Sequence, residues 1–332
     1  MKPYFTVGAA NDIGVGPAIV WSGFPTAGSK LQLAGTWSAI DRRRVRFSEV
    51  IGDRRPVGFR LRGDYDYRPN RRYFGIGNET PEADRSYYLL ESSSAEAELL
   101  LGASPLRQLR FGGGFSIMSP RRGYHGTPLL EDVFTPATAP FEHRTTKELW
   151  YGVDADLSAL DDGRDPSQGI HGRVDLRRAA GLRTRDPDYN QWRVEGRAYL
   201  PVFAKRRVIA MRGVYSGVEP TGSTTPILPY YRLAQSEGAS RFAGYQSDRF
   251  RDRQLMLARI EYRWAIIQRL SAVGLYEMGQ VAPSAESFTV RGAHRSYGGG
   301  LRLGLSDEGT LRFEAAKSTE GVRVVLSLGG DF

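Results

Sequence analysis

The stretch RFAGYQSDRFRDRQLMLARIEYRW, residues 241–264, changes character half-way along. Its first part turns around Gly244 and Tyr245 and crowds together Asp248, Arg249, Arg251, Asp252 and Arg253. From Gln254 onward it alternates: Met256, Ala258, Ile260, Tyr262 and Trp264 fall between Arg259, Glu261 and Arg263. Successive side chains of a strand point to opposite faces, so this strand has one apolar side and one charged side. It separates two media, and the charge-dense loop before it belongs with the wet one.

The same period of two recurs along the chain. Phe59, Leu61, Gly63, Tyr65 and Tyr67 share a face opposite Arg60, Arg62, Asp64, Asp66 and Arg68. Leu149, Tyr151, Val153, Ala155 and Leu157 alternate with Glu148, Trp150, Asp154 and Asp156, and Val322, Val324, Leu326 and Leu328 with Arg323 and Ser327. The alternating segments lie at 3–10, 13–24, 29–40, 43–51, 56–68, 86–101, 107–119, 146–160, 168–182, 190–203, 207–218, 253–265, 270–282, 293–305, 310–318 and 322–332, about 16 strands. Many are longer than the five or six residues usual in soluble sheets. Aromatics sit near strand ends (Trp21 and Phe24, Tyr65 and Tyr67, Tyr262 and Trp264), where a barrel places rings at the membrane interfaces. Short turns such as 25–28, 52–55, 204–207 and 306–309 alternate with longer loops at 69–85, 120–145, 183–189, 219–252 and 283–292. These features predict an all-β antiparallel transmembrane barrel with its polar face inward, as one domain over residues 1–332.

Composition excludes other classes. Of 332 residues 40% are hydrophobic, and no stretch approaches the ~20 apolar residues of a membrane helix. There is no Cys, hence neither disulfide nor thiolate metal site. The net charge is +9, but the basic residues, nearly all Arg, are interleaved with Asp and Glu, unlike the clustered patch of a nucleic-acid binder. His125, His143, His171 and His294 show no metal-ligand spacing; two lie in one loop with Glu131, Asp132 and Glu142, a weak hint of a surface hydrolase, so no enzyme is expected and no cofactor. The first residues lack the pattern of a signal peptide. Gly112–Gly114 and Gly298–Gly300 fall inside strands, where Gly marks curvature or a seat for a neighbouring ring, curvature being the plainer expectation.

A barrel this size keeps a wet lumen unless something fills it, and a loop at 240–252 bearing Arg241, Arg249, Arg251 and Arg253 suits that place. Here the chain resembles the BamA/TamA-type outer-membrane assembly-factor superfamily, also called bacterial surface antigens. Phe242, Ala243, Gly244 and Tyr245 occupy the positions where that family carries an aliphatic residue, Arg-Gly and an aromatic; the Arg position is Ala243. LYEMGQVAP (275–283) resembles the family's aromatic-acid-x-Gly strand, with Glu277 at the acid position. RRYFGIGNET (71–80) resembles a further loop signature, and the end, VRVVLSLGGDF to Phe332, the terminal strand read by the insertion machinery. The resemblance implies a loop latch of Arg241, Phe242, Ala243, Gly244, Tyr245, Arg249, Arg251 and Glu277, with Arg241 or Arg249 substituting for the missing guanidinium, or packing alone. Gly329 and Gly330, with no side chains and a loose backbone, leave room for a lateral seam toward lipid, with simple terminal fraying at least as strong an alternative. The resemblance implies an integral outer-membrane protein of a Gram-negative cell that inserts or translocates polypeptides. The partners implied are the lipid bilayer and lipopolysaccharide, unfolded outer-membrane polypeptides, and a separate periplasmic partner in place of the periplasmic transport-associated domains that are not expected here. The alternative is a passive channel or surface-antigen scaffold.

Overall fold

The computed structural model describes residues 2–8, 14–23, 26–52, 55–104, 107–141, 143–163, 165–203, 207–222, 227–236, 242–305 and 309–329. The strands are β1 (Lys2–Gly8), β2 (Gly14–Ser22), β3 (Ser29–Ser38), β4 (Arg43–Ile51), β5 (Val57–Tyr73), β6 (Ser86–Ser104), β7 (Arg107–Arg122), β8 (Thr146–Leu160) and β9 (Gly169–Gly181). They continue with β10 (Tyr189–Val202), β11 (Arg207–Pro220), β12 (Ala234–Gln235), β13 (Arg251–Asp252), β14 (Gln254–Ile267), β15 (Leu270–Ala282), β16 (His294–Leu305), β17 (Gly309–Ser318) and β18 (Gly321–Gly329). Sixteen of them form one antiparallel sheet in chain order from β1 to β18, while β12 and β13 pair with each other inside the loop between β11 and β14. Each of the 16 sequence segments coincides with one strand of this sheet.

The two faces sort as the alternation requires. On β14, Met256, Ile260, Tyr262 and Trp264 are exposed and point outward, while Arg259, Glu261 and Arg263 point inward and are buried or nearly so. The outward belt continues through Phe111, Leu157, Leu176, Leu301, Phe313, Val324 and others, all exposed. Moving such a side chain from water into an apolar phase gains about 1.5–3 kcal/mol each. Dozens of them on one face are therefore incompatible with water there, and place the wall in lipid. The protein is an antiparallel transmembrane β-barrel with its charges facing the lumen.

Several boundaries differ from expectation: β6 runs on to Ser104 and β14 to Ile267 at the short-turn rim, and three strands are longer at the rim with the long loops. β5 runs on to Tyr73, past Pro69, because the ladder with β6 shifts register between Arg68 and Arg71. A bulge removes the need for an amide hydrogen that Pro cannot supply. β7 likewise reaches Arg122, and β11 reaches Pro220. Tyr65 and Tyr67 therefore lie within β5, not at its end: their hydroxyls bond Glu91 (3.0 Å) and Tyr124 (3.1 Å), and Tyr124 bonds Asp41 (2.6 Å). Trp21 and Trp264 do lie near strand ends at the short-turn rim, and Arg207 sits over the Trp264 ring. Phe24 lies outside the described residues.

The glycine runs serve both expected roles. At Gly298 and Gly300 an added Cβ would fall 2.0 and 2.1 Å from backbone oxygens of β17, the close strand approach of a curving wall. At Gly114 it would fall 2.5 Å from the Ala95 carbonyl oxygen of β6, the same close approach, and 2.9 Å from the Trp150 indole nitrogen, so the first run also seats a ring.

Candidate functional site

The connection between β11 and β14 folds into the lumen, and its seat is built into the strand that follows. Leu255 and Leu257 are inward residues of β14, above the point where the inner face turns charged at Arg259. Phe242, Tyr245 and Phe250 of the loop pack on them together with Val214 and Val281. The Phe242 ring rests on Gly279, where an added Cβ would come within 2.4 Å of it. The aromatic-acid-x-Gly run, Tyr276 to Gly279, thus supplies a seat as well as an acid. At the loop tip, Gly244 presses on β16 and β17: a Cβ there would sit 2.6 Å from Ser296 Cβ and 2.9 Å from Ser318 Cβ, and the Ser318 hydroxyl donates to the Gly244 carbonyl at 2.8 Å.

Glu277, on β15, is buried and accepts three hydrogen bonds. The donors are the Ala243 amide (2.6 Å), the Ser296 hydroxyl (3.1 Å) and Arg259 Nη1 (2.8 Å). Arg259 stands directly opposite Glu277 in the ladder and also bonds Glu261 and Glu314, each at 2.7 Å. Arg312 bonds Glu314 (2.7 Å) and Glu261 (3.2 Å), and Arg263 bonds Glu261 (2.7 Å). This buried network ties β14, β15 and β17 together beneath the loop. Charges taken out of water need such mutual pairing, and an unpaired member would be costly.

The loop arginines go elsewhere. Arg249 bonds Glu320 (2.6 Å) and Thr80, and lies over the rings of Phe74 and Phe250. Arg251 is fully buried, donating to the carbonyls of Tyr230 (3.2 Å) and Arg72 (3.0 Å) against the Tyr73 ring. Asp248 pairs with Arg71 at 2.8 Å. The expectation that Arg249 substitutes for a guanidinium at Glu277 is therefore corrected: Arg249 and Arg251 bind the 71–80 stretch and the last turn, and Arg259 of the wall meets the acid. Ala243 brings only a short side chain, packed on Leu275 and Ala316, so its backbone amide can approach Glu277 directly. Arg241, Gly330 and Phe332 lie outside the described residues. Gly329 pairs with Thr310 at the end of β18.

The 71–80 stretch completes the dock. Asn78 Oδ1 accepts from the Val281 amide (3.3 Å), and its carbonyl meets His294 Nε2 (2.9 Å), whose ring stacks on Phe250 at 4.0 Å. Three separate sequence signatures, at 71–80, 242–253 and 275–283, converge on one assembly. Residues 63–329 match the model of the Omp85 superfamily domain. The chain belongs to the Omp85 superfamily.

Solved structures agree on the fold of this Omp85 barrel. BamA from Haemophilus ducreyi lacking POTRA domains 1–3 superimposes with a TM-score of 0.66 at 16% identity, over 98% of this chain and 67% of that one. CdiB from Acinetobacter baumannii gives 0.57 at 13% identity, over 98% and 59%. CdiB from Escherichia coli gives 0.55 at 11% identity, over 100% and 66%. The chain thus spans about two thirds of these proteins or less. No curated protein matches it in sequence.

Four participants escaped sequence reading. Arg259 and Ser296 lie on the lumen face by alternation, but alternation alone does not single them out from the other lumen residues. Arg232 and Glu148 form a second contact, at 2.5 Å, between the loop and the β8 wall. Around them burial pushes the phenols of Tyr230 and Tyr231 well above their ordinary range, so both stay neutral.

The tightness of the tip gives a first prediction. Gly244→Val should be unable to seat between Ser296 and Ser318, at a cost of about 1–3 kcal/mol by overpacking. Limited trypsinolysis of the variant should cut at Arg249 or Arg251 under conditions that spare the wild type; equal resistance of the two proteins counts against the docked tip.

Proposed function

We propose that this barrel assists the insertion or translocation of polypeptides at the outer membrane, the task that its family resemblance implies. The observation that carries the reading is the loop docked in the lumen at Glu277, built from the same signatures that mark the family. With the loop docked in the lumen, the wall is the candidate working surface. In the order of hydrogen-bonded strands, β1 and β18 are the two ends of the sheet. Among the described residues, β1 pairs with β2 from Lys2 opposite Val20 to Gly8 opposite Gly14. An outermost strand of a sheet is the place where an incoming strand can add by main-chain hydrogen bonding. The lipid bilayer with its lipopolysaccharide surrounds that edge, unfolded outer-membrane polypeptides are the clients, and a separate periplasmic partner delivers them.

The test is a folding assay in liposomes. Vesicles carrying the full chain should speed the assembly of an unfolded outer-membrane barrel several-fold over empty vesicles. Assembly no faster than in empty vesicles, with the delivering partner of the same cell extract supplied, would remove the reading.

A further inference from the structure

One transverse row of the lipid face breaks the apolar belt. Ala97, Gly113, Tyr151, Arg178, Asn190 and Glu219 stand opposite one another in the ladders from β6 to β11, and by alternation all of them point outward. The next row toward the short turns is apolar, with Leu99, Phe111, Val153, Leu176 and Trp192. A cation on the lipid face is costly at the bilayer midplane and tolerated near the interface. Arg178 lies near the end of β9 at the long-loop rim, which faces the outer leaflet.

Between these rows the wall carries an open groove of about 810 Å³, lined by Ala97, Phe111, Gly113, Tyr151, Leu176 and Arg178. Two features keep it clear. Gly113 places no side chain between Ala97 and Tyr151. Trp192 rests on Gly217 of β11, where an added Cβ would fall 2.3 Å from the ring.

The cations at the outer end of this groove have no acid to balance them. Arg178 Nη1 donates to Asn190 Oδ1 at 3.3 Å and makes no ion pair among the described residues. Lys147, nearer the rim on the same face of β8, makes none there either, nor do the exposed Arg183 and Arg185 of the loop after β9. The acids nearby are engaged. Asp186 accepts from the Lys147 amide (3.2 Å) and faces Arg144 (3.5 Å), Asp188 accepts from the Gly181 amide (2.8 Å), and Glu219 pairs with Arg253 (3.0 Å). Elsewhere on the rim, Arg43 is matched by Asp41 (2.8 Å) and Arg121 by Glu91 (2.7 Å). An occupant of the groove must therefore be apolar along its length and anionic at the outer end.

We propose that the lipid face of β6–β10 seats one phosphorylated lipid of the outer leaflet, a lipopolysaccharide molecule. Arg178 grips a headgroup phosphate, whose geometry its planar fork matches, while Lys147, Arg183 and Arg185 add attraction at the rim. An acyl chain lies in the groove over Gly113, against Phe111, Tyr151 and Leu176. The proposal rests on the wall facing lipid, not on polypeptide insertion, and its test contains no polypeptide.

The experiment titrates the full chain, folded in neutral detergent, with purified lipopolysaccharide and reads bound lipid by native mass spectrometry; heat-modifiable mobility confirms the folding of each variant. A complex of one lipid per chain is expected. Arg178→Gln should weaken it about tenfold, the loss of one charge-assisted contact. Arg178→Lys, which keeps the charge and loses the fork, should weaken it less. Ala97→Trp fills the groove without altering any charge and should also weaken binding several-fold; should it not fold, Ala97→Leu carries the comparison. Arg295→Gln is the control. Arg295 is another rim cation of the lipid face, bonded only to the Val290 carbonyl (3.4 Å), and the rings of Tyr276 and Tyr297 stand below it. Its loss should leave the affinity unchanged, and excess inorganic phosphate should not displace the lipid. Absence of a one-to-one complex overturns the proposal. So does an equal loss in Arg178→Gln and Arg295→Gln, which means diffuse attraction only. Binding indifferent to a filled groove, or displacement by inorganic phosphate alone, overturns it as well.

Discussion

Arg259→Ala should be the most damaging single substitution in the barrel interior. It leaves three buried carboxylates, Glu261, Glu277 and Glu314, without the guanidinium that binds them all. Removing one member of a buried charged group costs about 3–5 kcal/mol; Glu277 loses its ion pair, while Glu261 keeps Arg263 and Arg312 and Glu314 keeps Arg312. The wall between β14 and β17 should open at lower urea concentration, and the loop should lose its protection from trypsin. The informative variant is the rescue. In the family pattern a guanidinium enters from the loop, at the position held here by Ala243. Ala243→Arg placed on the Arg259→Ala background should restore protection of residues 242–253, because Ala243 already abuts Glu277 through its amide. On the wild-type background the same substitution should weaken the dock, by setting a second cation beside Arg259. If the rescue fails while Arg259→Ala folds, the guanidinium of the wall does not stand in for that of the loop.

Glu277→Ala should separate the dock from the wall. The Ala243 amide, the Ser296 hydroxyl and one nitrogen of Arg259 all lose their acceptor. Arg259 keeps Glu261 and Glu314, so the network survives in part. The unfolding midpoint should fall less than in Arg259→Ala, whereas cleavage at Arg249, Arg251 and Arg253 should become fast. An unsatisfied buried amide costs about 1–3 kcal/mol, enough to shift the docked equilibrium by about fivefold to a hundredfold. Proteolysis at these sites as slow as in the wild type would show that the apolar seat of Leu255, Leu257, Val281 and Gly279 holds the loop without the acid.

The wall was legible because alternation is a local property with one dominant cause. A strand between lipid and water repeats that contrast at every second residue, and 16 such segments mark 16 strands. The ends of β5 and β7 were less legible, since prolines at 69 and 120 read as breakers until a bulge or a rim position accommodates them. The site was legible in its loop half and not in its wall half. Phe242, Gly244, Tyr245 and Glu277 lie in motifs whose order along the chain carries meaning. Arg259 and Ser296 join them only through cross-strand register, and Arg232 and Glu148 only through the path of the loop across the lumen. Register and loop path are tertiary quantities, and a single sequence leaves them unspecified where many arginines alternate with many acids.

A disulfide across the dock tests the central claim most directly. The chain contains no Cys, so Ala243→Cys with Ala316→Cys introduces a single possible bridge. Ala243 of the loop and Ala316 of β17 share one buried apolar cluster and each already carries a Cβ, so neither substitution brings the clash that a side chain at Gly244 would. In intact outer membranes under mild oxidation, the docked loop predicts crosslinking between residues 243 and 316, reversed by reductant, with residue 243 inaccessible to a membrane-impermeant maleimide in the single variant. No crosslink, together with rapid maleimide labelling at residue 243, would place the loop outside the lumen and contradict the account.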